Sequence, residues 1–321
     1  MKSSLNFAVL VVLSLAAAST AALHVEVDAK EQFYAFVGRF NKKYANDNEY
    51  QQRLAAFTHN LAQIEAFNAK YGEKTQFGIT QFSDMTPTEF KERVLMKKPG
   101  FPVGQGTQAS PSPFPTPVVI PKTFDWRNKT GILTPVYDQG DCGSGWAFSV
   151  AENLESLWAI AGHGCDGGIS NEGFEVWITI RLGLLVRPSF TVTHHNRYYQ
   201  SIMNAGGLES AASYPYTAKT DRCSFNSSDI AAKIWGYMLV TRFGSEPIMT
   251  GFLSYLSPIT GCGTEFNHCL LAVGYNLEAN PPYWILRNSW GDKWGMKGYM
   301  YLEFGKDACG VAQKSFSGLN F

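Results

Sequence analysis

The sequence predicts an α+β protein in two parts, and three observations carry that prediction. Apolar residues recur at helical spacing within residues 31–90, a Pro- and Gly-rich stretch follows at 97–117, and beyond it a buried-helix pattern precedes short runs rich in β-branched and aromatic residues. Helix first and strands later is the order expected of an α+β domain.

The chain opens with a different kind of segment. "MKSSLNFAVLVVLSLAAASTAA", residues 1–22, has one Lys, an apolar run from Phe7 to Ala18, and small residues at Ser19, Ala21 and Ala22. That is the layout of a secretory signal peptide cleaved near Ala21 or Ala22, and the run is too short to span a bilayer comfortably. A secreted or lysosomal product is therefore expected. Export also makes pairing the default for the six cysteines, although six allow 15 connectivities. The sequons at Asn128 (NKT) and Asn226 (NSS) are candidate glycosylation sites on the same route.

Within 31–90, Phe33, Phe36, Val37 and Phe40 predict a first helix, with Tyr44 one turn further on. A second helix is predicted through "NEYQQRLAAFTHNLAQIEAFNAKYG", where Glu49, Arg53, Phe57, Asn60, Ile64 and Asn68 line one face and Gly72 ends the run. Six prolines and three glycines between Lys97 and Pro117 make an extended, protease-accessible linker. A compact segment, a cleavable linker and a larger domain form the outline of a zymogen. In the larger domain, Trp146, Val150, Leu154, Leu157 and Trp158 predict a helix buried along one face. "HCLLAVGYN" and "PYWILRNSW" predict two strands joined by a turn at 278–282.

Composition narrows the function classes. Lys+Arg and Asp+Glu both number 27, so the charge balance indicates neither nucleic acid nor an anionic membrane as a partner. His194 and His195 are adjacent but have no ligand cluster at suitable spacing, so no metal and no cofactor are expected. The chemical candidates lie elsewhere. Thiol proteolysis needs a thiolate, an imidazole base, a group orienting the imidazole, and oxyanion donors. Gln139, His268 and Asn288 could supply the last three.

Their surroundings carry a family resemblance. "DQGDCGSGWAFSV" contains CGSGW, one letter from the C-G-[SA]-C-[WY] nucleophile signature of papain-family cysteine proteases, whose His and Asn follow about 130–150 residues later. Here His268 lies 123 and Asn288 143 residues after Gly145. The propeptide helix motif Glu49, Arg53, Phe57, Asn60, Ile64, Asn68 is complete, "GITQFSD" has Thr80 where an Asn is usual, and "GCDGG", "SYPYTA" and "NSWGDKWGMKGY" are further family landmarks. The chain resembles a cathepsin-like papain-family zymogen along its whole length.

That resemblance implies a helical lobe and a β-barrel-like lobe with the active-site cleft between them, preceded by a helical inhibitory propeptide. The implied divisions are signal peptide 1–22, propeptide 23–98, linker 99–117 and peptidase domain 118–321. Gln139 and the backbone NH of residue 145 would form the oxyanion hole, Asn288 would orient His268, and Trp290 would shield that pair. The resemblance also implies disulfides Cys142–Cys165 and Cys262–Cys309, leaving Cys223 and Cys269. The expected partners are a peptide or protein substrate in the cleft and the chain's own propeptide, in a monomer.

Three departures bear on activity. Gly145 stands at the nucleophile position and cannot be acylated. Ser144, one residue earlier, points about 100° away on a helical turn, and Cys269, on a strand beside His268, is expected to face away from the cleft. Relative to the family, chain is missing near 163/164 and 260/261, and residues 178–201 are extra. Their abrupt edges between intact motifs suggest skipped exons and a retained intron. The expectation is a cysteine endopeptidase by family that is inactive as written, with a peptide- or protease-binding pseudoprotease as the alternative.

Overall fold

The computed structural model describes residues 28–71, 77–96, 121–162, 195–211, 213–219, 224–242, 255–257, 267–307, 311 and 314–319. The chain divides into two compact units, Met1–Phe90 and Lys91–Phe321.

In the first unit, helix α1 covers 28–39 and α2 covers Asp47–Tyr71. Asn41 ends α1 in the left-handed conformation (φ 49°) while the Lys42 amide returns to the Val37 carbonyl at 3.0 Å, a Schellman-type stop. Tyr44 therefore lies beyond α1, yet its ring still meets Phe33 at 6.0 Å, so the periodicity marked a shared core rather than a continuous helix. Asn46 caps α2 by accepting the Glu49 amide at 3.0 Å, and the Glu49 carboxylate reaches back to the Ala45 amide at 2.7 Å. Phe33, Phe36 and Phe57 are buried with Leu54, Leu61 and Ile79 around them. Each such ring contributes roughly 1.5–3 kcal/mol of burial.

The remaining motif residues tie α2 to the chain that follows it. Arg53 donates to the Asp84 carbonyl and pairs with Glu89 at 2.6 Å, and Asn60 donates to the carbonyls of Ser83 and Met85. Asn68 exchanges two hydrogen bonds with the Phe77 backbone. Thr80 serves its turn by accepting from the Phe82 amide at 3.3 Å. Helix α3, Pro87–Arg93, has Pro at its first position and the Thr86 hydroxyl as cap.

The second unit is α+β, as predicted. Its main sheet is antiparallel, ordered β1 (Thr123–Asp125), β6 (Leu270–Asn276), β7 (Tyr283–Arg287) and β8 (Tyr299–Glu303), with β5 (Tyr255–Ser257) also paired to β6. Two smaller ladders pair β2 (Leu208–Glu209) with β3 (Ile230–Ala232) and β4 (Gly236–Arg242) with β9 (Lys314–Leu319). Among the described residues the main sheet stays open, where a barrel-like lobe was expected. The predicted hairpin is present: β6 and β7 run from Asn276↔Tyr283 to Leu271↔Arg287, and Asn276 caps the turn by accepting from Glu278 and Ala279. Both faces of β6 are buried. Leu270 and Ala272 join Trp284 and Leu286, while Leu271 and Val273 join Ile285.

Helix α4 (Gly145–Ile160) packs on this sheet and on α5 (His195–Ala205). It was expected to bury one stripe. Instead, nearly every residue from Gly145 to Ser156 is buried, polar ones included, whereas Trp146 and Leu157 are only partly so. The polar groups survive burial because they are paired: Asn153 accepts from the Tyr199 hydroxyl at 3.0 Å and the Gly318 amide at 2.9 Å. Tyr199 belongs to the stretch 178–201 read as extra chain, so the described end of that stretch is part of the core. Residues 163–194 and 258–266, which include both apparent gaps, lie outside the described residues.

Candidate active site

Two backbone segments bring the predicted residues together. Asp138 and Trp290 form an antiparallel bridge, the Gly291 amide bonds the Tyr137 carbonyl at 2.8 Å, and the Gln139 amide bonds the Ser289 carbonyl at 2.8 Å. This zips 137–139 against 289–291 and sets Gln139 beside Asn288. The Ser289 hydroxyl donates to Gln139 Oε1 at 2.7 Å, which turns the amide NH2 the other way. That NH2 donates to the carbonyls of Cys142, at 2.6 Å, and Val94, at 2.8 Å.

His268 is buried just before β6. Its Nε2 lies 2.8 Å from Asn288 Oδ1, and because that oxygen only accepts, Nε2 carries the hydrogen and Nδ1 keeps its lone pair. Trp290 stacks on the ring at 4.5 Å and 19°, and Trp294 meets Trp290 edge-on at 5.1 Å. Burial pulls the imidazole down to about 4, against the opposing pull of the Asn288 hydrogen bond. Among the described residues Nδ1 has no hydrogen-bond partner.

What faces Nδ1 is the first residue of α4. A Cβ on Gly145 would lie 2.6 Å from His268 Nδ1, 2.5 Å from its Cε1 and 2.9 Å from Gln139 Oε1. The side-chain direction of residue 145 thus points between the base and the oxyanion donor, and the imidazole has closed over the place a carbon would take. The backbone of Gly145 is outside the left-handed region, so only space, not conformation, opposes a side chain there.

Among the described residues no neighbouring group fills the role. The Ser144 hydroxyl shares a hydrogen bond with Tyr216 at 2.9 Å and bonds the Cys142 carbonyl at 3.2 Å, turned from His268. Cys269 is buried, its thiol pushed well above the usual range by desolvation and held beside Ser149, Tyr198 and Tyr199. Cys142 is in no disulfide. Its expected partner Cys165, along with Cys223, Cys262 and Cys309, lies outside the described residues.

The stretch 93–96 of the same unit covers the site. Besides Val94 on Gln139, the Met96 amide bonds the Asn267 carbonyl at 2.8 Å, Arg93 pairs with Asp141, and a Cβ on Gly143 would strike the Leu95 carbonyl. The Val94 and Met96 side chains are buried. Sequence reasoning did not find Val94, Ser289 or Tyr216, whose hydroxyl donates to the Gln139 carbonyl at 2.7 Å. Ser289 was the most findable, as the hydroxyl next to Asn288; nothing local marks Val94.

Of the two sequons, Asn128 is exposed at the end of a short 3-10 turn. Asn226 caps another by accepting from the Ser228 amide, and its own amide donates to Asp229 at 2.8 Å. Among the described residues no group of three His, Cys, Asp or Glu could hold a metal ion, and no helix is long and apolar enough to cross a membrane.

Comparison with known proteins agrees with this geometry. The family profile described as papain family cysteine protease matches residues 120–185 and 192–319, and that of the cathepsin propeptide inhibitor domain matches 33–90. Cysteine proteinase 1 of Dictyostelium discoideum is 31% identical over 327 residues, covering 90% of this chain and 92% of its own. Pro-cathepsin H of Bos taurus is 32% identical over 326 residues, covering 88% of each. The proform of the Amb a 11 cysteine protease, a ragweed pollen allergen, superposes with a TM-score of 0.75 at 25% identity, covering 91% of this chain and 95% of that one. With a family profile over more than half of its residues and relatives above 30% identity along nearly all of it, the chain belongs to the papain family of cysteine proteases.

Proposed function

We propose that this chain is a catalytically silent papain-family protein that binds peptide backbone in its cleft without cleaving it. One observation carries the reading: the Cβ direction of Gly145 points at the bare Nδ1 of His268, so the base faces a residue with no atom to activate. Covalent thiol proteolysis starts from a thiolate paired with imidazolium. Here residue 145 carries no sulfur to give its proton to His268, so no such pair can form.

Binding is favoured as the retained activity because Gln139 already holds a peptide carbonyl, that of Val94, at 2.8 Å. Gln139 would serve as oxyanion donor, Asn288 as the group orienting His268, and Trp290 as its shield. Residues 23–98 would act as the inhibitory propeptide ahead of linker 99–117 and domain 118–321, following cleavage of a signal peptide at 1–22. Cys262–Cys309 would form in the secretory route, with glycans at Asn128 and Asn226 and a lysosomal or extracellular monomer as the product.

The test compares the native chain with Gly145→Cys, each treated with a thiol-directed epoxide and read by intact mass after linker cleavage. The native chain is expected to stay unlabelled at residues 139–145 and the variant to gain one label at residue 145. Labelling of neither chain would refute the claim that the rest of the site is assembled.

A further inference from the structure

A second set of buried ionisable groups lies on the far side of α4 from the sequence-predicted stripe. Glu152 and Glu155, one helical turn apart, are both buried, and Arg287 at the end of β7 is fully buried against them. Arg287 Nε lies 3.2 Å from Glu152 Oε1. The Thr134 hydroxyl donates to Glu155 at 2.7 Å and accepts from Arg287 at 3.2 Å, and Arg287 also donates to the Pro135 carbonyl. The guanidinium lies over the Tyr137 ring at 5.2 Å.

The count of charges is what makes this cluster unusual. Two carboxylates face one guanidinium, and among the described residues no second cation interacts with them. The segment before α4 contributes Tyr137, β8 contributes Tyr299, which sits under Arg127 at 5.1 Å, and Arg127 is itself committed to Asp125. β6, which packs on α4, contributes the buried apolar Leu271 and Val273, and the side chains of β5, of Arg197 on α5 and of Lys314 on β9 lie outside the described residues. A lone negative charge in such surroundings is costly enough that the group takes a proton instead.

We propose that Glu152, Glu155 and Arg287 form a proton-loaded joint between α4 and β7, which takes up a proton on folding and surrenders it as pH rises. The joint connects the helix that begins at Gly145 to the strand that leads into Asn288. Its release weakens the hold of one half of the site on the other. Desolvation, opposed by Arg287, raises Glu152 to about 7 and Glu155 to about 8, consistent with a proton held at neutral pH.

The sign follows from linkage. In the unfolded chain both carboxyls titrate near 4.5, so between that value and the raised folded values the native state binds more protons than the unfolded one. The stabilising contribution is complete below pH 4.5 and is lost as pH rises through the folded values. Denaturant unfolding of the full chain from pH 5 to 8 tests this beside Glu152→Gln and Glu155→Gln. The native unfolding constant should rise by up to about tenfold per pH unit and proton involved, and either variant should lose about one proton from that slope. Parallel slopes in all three chains would overturn the proposal. Should a variant fail to fold, infrared spectra of the native chain decide: a protonated-carboxyl band present at pH 7 and gone at pH 9 supports the joint, and no band at pH 7 contradicts it.

Discussion

The first unit and the candidate active site were built from the same kind of material, polar motif residues set among aromatic ones, yet they differ at one atom. Around α2 every polar link closes: Arg53 on Glu89, Asn60 on two carbonyls, Asn68 on the Phe77 backbone. At the site, Asn288 and Trp290 hold His268, and Ser289 aims Gln139, but among the described residues Nδ1 of His268 ends the chain of partners. A motif can thus be complete in sequence and closed in space, as in the inhibitor domain, or nearly complete in sequence and open at the position where chemistry would start. The groups around His268 also hold the fold together, since the Gln139 amide bonds the Ser289 carbonyl and Asp138 bridges Trp290.

The largest expected effect breaks the closed region. Phe57→Ala removes the ring that joins Phe33 and Phe36, and should cost about 3–5 kcal/mol in urea unfolding of the first unit. A loss below about 1 kcal/mol would mean that this aromatic cluster is not the core.

A pH titration sharpens the open region. Because burial depresses His268 from 6.5 to about 4, the native state binds fewer protons than the unfolded one in that interval. Its contribution is whole above 6.5 and is lost as pH falls through 4, at about 1.4 kcal/mol per pH unit. The ring-proton NMR shifts of His268 should stay flat from pH 5.5 to 8; a midpoint near 6.5 would mean that the ring is solvated and Nδ1 is not sealed against Gly145. The acid-side loss from His268 runs opposite to the alkaline-side loss expected from Glu152 and Glu155.

Asn60→Ala strands the carbonyls of Ser83 and Met85 and should destabilise the first unit by about 1–3 kcal/mol, seen as faster amide exchange through residues 80–85. Ser289→Ala is the mildest change. Losing one hydrogen bond to Gln139 Oε1 should cost about 1 kcal/mol and free the Gln139 side-chain amide to exchange faster, with His268 unmoved.

How far the sequence could be read follows from how local each feature is. The α2 motif and the β6–β7 hairpin depend on neighbours within a few residues, and each was legible. That Gln139, His268 and Asn288 come together was legible through the family resemblance of the strings around them. Burial of α4 on all sides was not legible, since Asn153 finds Tyr199 and Gly318, and Glu152 finds Arg287, across 46, 165 and more than a hundred residues of chain. Read without those partners, the same residues look like a solvent face. The Tyr44 position misled for a related reason: a helix period continued into a turn because both pack on Phe33.

The central claim, an assembled site that lacks only its nucleophile, is tested most directly by peptide hydrolysis. The native chain and Gly145→Cys, each freed of residues 23–98 by an added protease that is then removed, are assayed side by side at pH 5 with a fluorogenic peptide. The account predicts no thiol-inhibitable turnover by the native chain and measurable, epoxide-sensitive turnover by the variant, after His268 yields the space that the new Cβ requires. Epoxide-sensitive turnover by the native chain would contradict it.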